Sequence, residues 1–218
     1  YQQKMIMKRE AIANKGIWVA KKRYMMNVFD EEGIRFDTPK LKIMGVEAVK
    51  SSTPEVCRGK IKEAIRMIMN KSEEDLIKFV NDFKEVFKKL SPEEVAFPRS
   101  CNNLNKYSDS SSIYKKGTPI HVKGGLIYNH YIYRNKLQMK YPLIKDGDKI
   151  KFLMLKQPNT IKDTVISFST RIPEEFNLHK YVDYDTQFEK TFTDPLKFIL
   201  DSIGWKLERE ASLESFFE

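Results

Sequence analysis

Cysteine is scarce in this chain of 218 residues, and the two present, Cys57 and Cys101, have no metal-ligand spacing. Three scattered histidines (His121, His130, His179) add none. Neither structural zinc nor a disulfide framework is expected, and the thiols read as those of a reduced, intracellular protein. No apolar run approaches the roughly 20 residues of a membrane-spanning helix. Internal repeats and low-complexity tracts are missing, which excludes a solenoid. No His, Cys or Asp constellation has catalytic spacing, so an unrelated enzyme with its own complete site has little support.

What is there is a globular composition with an uneven charge. Hydrophobic residues make up 41% and charged residues 32%, enough for a core in one large domain or two small ones. The formal net charge is +9. Residues 1–62 hold 14 basic and 7 acidic side chains, and residues 100–162 hold 12 and 3. Between them residues 63–99 hold 7 and 8, and residues 163–218 end the chain with 6 and 12. A polyanion should meet the two basic blocks, where Tyr is interleaved, and avoid the acidic end.

The stretch Lys21-Lys22-Arg23-Tyr24 is the densest basic point of the first block. Read as a strand, it puts Lys21 and Arg23 on one face, spaced to lie along a nucleic-acid backbone. Lysines also guard the edges of sheets, and the four residues alone do not separate the two readings. Met5-Ile6-Met7 and Gly16-Ile17-Trp18-Val19-Ala20 read as strands, Asp30-Glu31-Glu32-Gly33 as a turn, and Leu41 to Val46 as a strand after a break at Thr38-Pro39. A chain opening in strand sequence suggests a piece of something longer whose partner strands lie elsewhere.

A helix is expected from Lys50-Ser51-Ser52-Thr53-Pro54-Glu55 to about Asn70. Either Ser52 with Glu55 forms a capping box, or Thr53 caps with Pro54 at the first helical position. That positive helix end, beside Lys50, suits a phosphate. Cys57, Ile61, Ala64, Ile65 and Ile68 form its apolar stripe. Ser72 caps a second helix that buries Leu76, Phe79, Val80, Phe83, Val86, Phe87 and Leu90 and pairs antiparallel with the first. Residues 98–117 read as a loop carrying Asn102-Asn103, Lys106-Tyr107 and Lys115-Lys116, chemistry suited to gripping a backbone. Thr118-Pro119 opens a helix to about Tyr133, with His121 in its first turn. Gly124-Gly125 either weakens this helix or marks a close backbone approach. Strands follow at Lys149–Lys156 and Thr164–Ser169, with Asp146-Gly147-Asp148 as a turn. Helices follow over Asp183–Phe192 and, capped by Asp194-Pro195, as far as Gly204. The tail ends Leu213-Glu214-Ser215-Phe216-Phe217, one apolar helical face that needs a pocket.

Taken in order, Met7-Lys8-Arg9-Glu10-Ala11-Ile12-Ala13, Lys21-Lys22-Arg23-Tyr24, Pro39 to Gly45, Lys50 to Pro54, Asn102-Asn103, Lys106-Tyr107 and Ala211-Ser212-Leu213 resemble the C-terminal part of a family B DNA polymerase of the T-even phage type. Each motif is short; their order over nearly the whole chain is what is specific. The resemblance implies an α+β fold: residues 1–50 would finish the palm, 51–205 would form a largely helical thumb with a small β tip, and 206–218 would be a clamp-binding tail. It implies a fragment of a replicative DNA-directed DNA polymerase, a nucleotidyltransferase, working in the cytoplasm of an infected bacterial host. The fragment by itself would be inactive.

In the family the Lys-Lys-Arg-Tyr strand lies beside the primer. By resemblance, DNA would be held by Lys21, Lys22, Arg23, Tyr24, Lys50, Ser51, Ser52, Thr53, Asn103, Lys106, Tyr107, Lys116 and His121. Leu213, Phe216 and Phe217 would anchor a sliding clamp, and the upstream part of the polymerase would be the remaining partner. Two divalent ions, with Mg²⁺ the expected metal, would be held by aspartates outside this chain, which has no Asp-Thr-Asp between Tyr1 and Lys21. Glu10 would stand at the edge of the catalytic centre. Lys8 replaces the family's usual Asp there, and only Asn14-Lys15-Gly16 stands where a longer Gly-rich loop is usual. Judged on charge alone, a stand-alone basic module binding DNA or RNA is the other reading.

Overall fold

The computed structural model describes residues 7–207, so Met5-Ile6 and the whole of the Leu213–Phe217 tail lie outside the described residues. Three antiparallel strands come first, β1 (Ala11–Ala20), β2 (Arg23–Glu31) and β3 (Ile34–Met44), in that spatial order. β1 runs through Asn14-Lys15-Gly16, where the register shifts against β2 between Ala13 and Lys15. The turn is shorter than Asp30–Gly33: Asp30 and Glu31 stay in β2, and only Glu32-Gly33 reverse the chain. Asp30 is buried, accepts from Gly33 N at 3.1 Å, and pairs with Arg9 at 3.4 Å and Arg35 at 3.8 Å. Thr38-Pro39 does not break β3. Pairing passes from Val28↔Lys40 to Asp30↔Arg35, so Phe36–Pro39 bulge opposite Phe29. Proline has no N–H to give a ladder, and a bulge asks for none.

The main core begins with α1 (Glu55–Asn70) and α2 (Glu73–Phe87). All five apolar residues expected on α1 are buried. Ser72 and Asp75 form a reciprocal capping box at the start of α2. Leu76, Val80, Phe83 and Phe87 are buried, but Val86 is 53% exposed. Three residues past Phe83 and one before Phe87, it falls just outside the buried arc.

After α3 (Pro92–Val95), the stretch expected to be loop is built from short pieces: β4 (Phe97–Ser100), α4 (Leu104–Tyr107), and the hairpin β5 (Ser108–Asp109) with β6 (Ile113–Tyr114). Next come α5 (Ile120–Arg134), β7 (Lys149–Met154) and β8 (Val165–Phe168). A second sheet has the order β4-β7-β8 and is antiparallel throughout. Phe97 and Phe152 face each other across β4 and β7, stacked with centroids 5.0 Å apart.

α5 lies on β8, and Gly124 is what lets it. A Cβ there would stand 2.8 Å from Ser167 N and 3.0 Å from Ile166 C. The glycine pair thus marks a close approach of helix to strand. Gly124→Ala should destabilise the fold by about 1–3 kcal/mol, the usual cost of overpacking against backbone. The check is a lowered urea midpoint with the slope unchanged; an unchanged midpoint would contradict the packing.

The last helices are α6 (Tyr184–Phe188) and α7 (Asp194–Asp201). They are not separate. A π-helical turn, Glu189–Thr193, carries one into the other, so Asp194-Pro195 starts no new helix. Interior proline is barred because its ring meets the carbonyl four residues back and its missing N–H leaves that carbonyl unbonded. The wide π turn just ahead relieves both conditions at Pro195. The architecture is mixed α and β, and among the described residues no helix is long and apolar enough to cross a membrane.

Candidate nucleic-acid interface

Lys21 and Lys22 are not in a strand. They form the β1–β2 turn, with Lys22 at φ +63°, and only Arg23 and Tyr24 enter β2. The turn has this shape because it rests on Gly45, itself at φ +67°, whose missing Cβ leaves room for the Lys22 carbonyl. The alternation expected for Lys21 and Arg23 therefore fails. Both lysines are exposed, whereas Arg23 is turned inward. Its Nε donates to Gly45 O at 3.2 Å and its Nη2 to the two Glu47 oxygens at 2.7 and 2.8 Å. Tyr24 is half-buried, opposite Trp18 and Met44 in the sheet.

Lys50 Nζ reaches the same Glu47 at 2.7 Å. Burial pushes the Glu47 carboxyl up, but hydrogen bonding from Lys50 and the charges of Arg23 and Lys50 outweigh it and hold the group below the usual carboxylate range. One carboxylate thus gathers two of the expected DNA-binding cations.

Neither expected cap forms at the start of α1. Pro54 holds the cap position and no side chain bonds the first turn. Ser51 is exposed, Ser52 half-buried and Thr53 buried. The turn is held from outside: Arg99 Nη1 donates to Ser52 O at 2.6 Å, and its guanidinium lies 5.6 Å from the Phe97 ring centre and 5.9 Å from that of Phe152. A cavity of about 310 Å³ lies here, lined by Lys50, Ser52, Thr53, Arg99 and Lys190 and by the carboxylates of Glu47 and Asp194. A second, of about 580 Å³, lies along Ser51, Thr53, Arg58 and Lys151 and also meets Glu93 and Glu94. Arg58 Nε is buried with no hydrogen-bond partner among the described residues. His121, half-buried, lies 6.3 Å from the Phe152 ring. Burial, and then the charge of Arg99, hold its pKa below the usual histidine value and favour the uncharged ring.

The remaining predicted residues form another cluster around α4. Asn103 caps it in the left-handed region at φ +63°, and Leu104 N donates to Asp146 Oδ1 at 2.7 Å. Lys106 and Lys116 are exposed, with Lys106 Nζ 5.3 Å from the Tyr107 ring centre. Lys115 Nζ donates to Lys106 O at 2.9 Å and ties the hairpin to the helix. Glu10 stands apart from both clusters, exposed and paired with Lys42 at 3.2 Å. Leu213, Phe216 and Phe217 lie outside the described residues.

Sequence reasoning missed Arg99, Arg58 and Lys190. The only local signal for Arg99 was an Arg beside Pro98 in a basic stretch. That it reaches a carbonyl 47 residues earlier has no local signature.

No family model matches this chain. It is 34% identical over 225 residues to a DNA-directed DNA polymerase of Enterobacteria phage T4, covering 98% of this chain and 24% of that protein. It is 36% identical over 230 residues to a DNA-directed DNA polymerase of Escherichia phage RB69, covering 100% of this chain and 25% of that protein. The chain therefore spans about a quarter of the length of the curated relatives it matches, and the resemblance read from its motifs extends over nearly all of it.

Proposed function

We propose that this chain, similar along its whole length to a quarter of a phage DNA-directed DNA polymerase, is the part of such an enzyme that grips primer–template duplex. The observation that carries the reading is the start of α1. Its first-turn N–H groups lack any side-chain cap, and Lys50, Arg99 and Lys190 line the cavity at the Ser52-Thr53 turn that leads into it. A helix N-terminus with free N–H groups and nearby cations favours a phosphate. Lys21 and Lys22, and Lys106, Tyr107 and Lys116, extend the grip as exposed or half-buried groups outside that cavity. Contacts of this kind fix the position of a duplex without reading bases, so the grip tolerates any sequence.

In the division we propose, residues 1–50 finish a palm, 51–205 form a thumb, and the tail with Leu213, Phe216 and Phe217 tethers a sliding clamp. The complete enzyme would supply two divalent ions that stabilise the attacking and leaving oxygens of nucleotidyl transfer. Asp30, Glu10 and Glu31 are engaged otherwise: Asp30 is taken up by Arg9, Arg35 and Gly33 N, and Glu10 and Glu31 share Lys42. The chain's own work is to hold and orient the duplex.

Fluorescence anisotropy on primer–template DNA across a salt series tests this. Lys21→Ala with Lys22→Ala should weaken binding to all sequences alike. The log–log salt slope should become shallower by about 0.9 for each phosphate no longer neutralised, so by roughly 2 for the pair. These two are the right pair because both are exposed; Arg23→Ala would also release Gly45 and Glu47. A wild-type chain that binds no DNA at low salt would overturn the grip.

A further inference from the structure

From Ser110 to Lys145 the chain contains no Asp or Glu and seven Lys or Arg, the last two being Lys140 and Lys145. α5 runs through the middle of this stretch and buries Val122, Ile127, Tyr128 and Ile132. Lys123, Leu126, His130, Tyr133 and Arg134 fall at helical spacing on its other side, where His130, Tyr133 and Arg134 are exposed. Beyond the helix, Lys136 is exposed as well.

The acidic neighbours of this end are few. Glu175 accepts from Lys140 Nζ at 2.6 Å and from Tyr141 OH at 2.9 Å, so its charge is already met. Glu174 is exposed nearby in sequence. Lys123 is matched by Asp163 at 2.8 Å and is not available. Arg134 has its guanidinium 5.7 Å from the Tyr131 ring centre, and neither it nor Lys136 has an acidic partner among the described residues. Tyr133, 58% exposed, sits beside them with its ring open to solvent.

We infer that Tyr133, Arg134 and Lys136 form a second contact for duplex backbone, at the opposite end of α5 from the Lys116 turn that leads into it. The inference rests on the DNA-gripping reading and extends it. α5 at 1.5 Å per residue is about 22 Å long, which at 3.4 Å per step is roughly six or seven base pairs. The surface therefore meets phosphates that a short duplex, held only at the first contacts, does not reach.

The test measures salt slopes for the 218-residue chain on a series of primer–template duplexes lengthened in steps. Wild type should gain affinity when about six or seven base pairs are added. Arg134→Gln with Lys136→Gln should abolish that gain and leave the shortest bound duplex unaffected. On the long duplex its slope should be shallower by roughly 2, so wild type drops about tenfold further in affinity than the variant between about 50 and 200 mM salt. Both substitutions are on exposed side chains, and the unchanged short-duplex binding reports that the fold is intact. Equal slopes on the long duplex, with the Lys21/Lys22 variant still weakened, would overturn this second contact alone. Absence of all duplex binding would overturn the underlying reading with it. A slope change equally large on single-stranded oligonucleotides, independent of duplex length, would assign the surface to a single strand and overturn the duplex contact.

Discussion

Phe83→Ala should cost about 3–5 kcal/mol, the range for emptying a buried phenylalanine site. Phe83 is 3% exposed and is the hub of an aromatic cluster. Its ring centre lies 5.9 Å from Phe87, 5.6 Å from Phe188 and 4.9 Å from Phe192. It therefore joins α2 to both α6 and the π turn, and truncation leaves a void bordered by two rigid helical segments that cannot close on it. For a chain of this size the destabilisation should lower the melting temperature by roughly 6–20 °C. Val86→Ala is the matched comparison. It lies on the same helix but is 53% exposed, and should change stability by no more than about 0.5 kcal/mol. Melting curves of the two variants decide the matter: a Phe83→Ala protein melting with wild type would mean that the aromatic cluster is not the joint.

Gly45→Ala should destabilise by about 3 kcal/mol and weaken DNA binding in the same protein. Two effects add. The residue sits at φ +67°, where an L side chain costs about 1–2 kcal/mol. Its Cβ would also collide with the Lys22 carbonyl oxygen and stand 3.1 Å from Arg23 Cγ, an overpacking of about 1–3 kcal/mol. Relief comes only by moving the Lys21-Lys22 turn, which is where the binding effect arises. Gly33→Ala separates the two causes: it has φ +90° but nothing within 4 Å. It should cost only the strain, about 1–2 kcal/mol, and leave DNA affinity unchanged. Denaturation midpoints and anisotropy on both variants test this. Equal destabilisation, or a Gly45→Ala chain with full affinity, would show that the turn does not depend on the glycine.

Much of the fold was legible from local chemistry. Apolar residues at helical spacing placed α1 and α2, and Ser72 capped α2 as expected, because a cap is an interaction between residues three apart. β7 was legible through alternation after the Gly147 turn, and β8 as its partner strand. The resemblance to phage DNA polymerases was legible through the order of short motifs; Arg99, Arg58 and Lys190 of the candidate interface were not.

Where local chemistry misled, a distant interaction had won. Lys21-Lys22-Arg23-Tyr24 read as four equivalent positions of a strand. Packing of Gly45 under Lys22 made two of them a turn, and Glu47 drew Arg23 inward. Ser52 and Thr53 are sound caps by composition, yet Arg99 holds the Ser52 carbonyl from another strand and the helix begins uncapped. Asp194-Pro195 is a sound helix start, yet the π turn carries the chain through it. Periodicity, caps and composition are properties of neighbours in the chain, and they placed α1, α2 and the charged blocks. Which exposed cation stays free and which is matched depends on how elements roughly 20 to 50 residues apart come to rest on one another. That is set by the filling of the core, which no short stretch encodes.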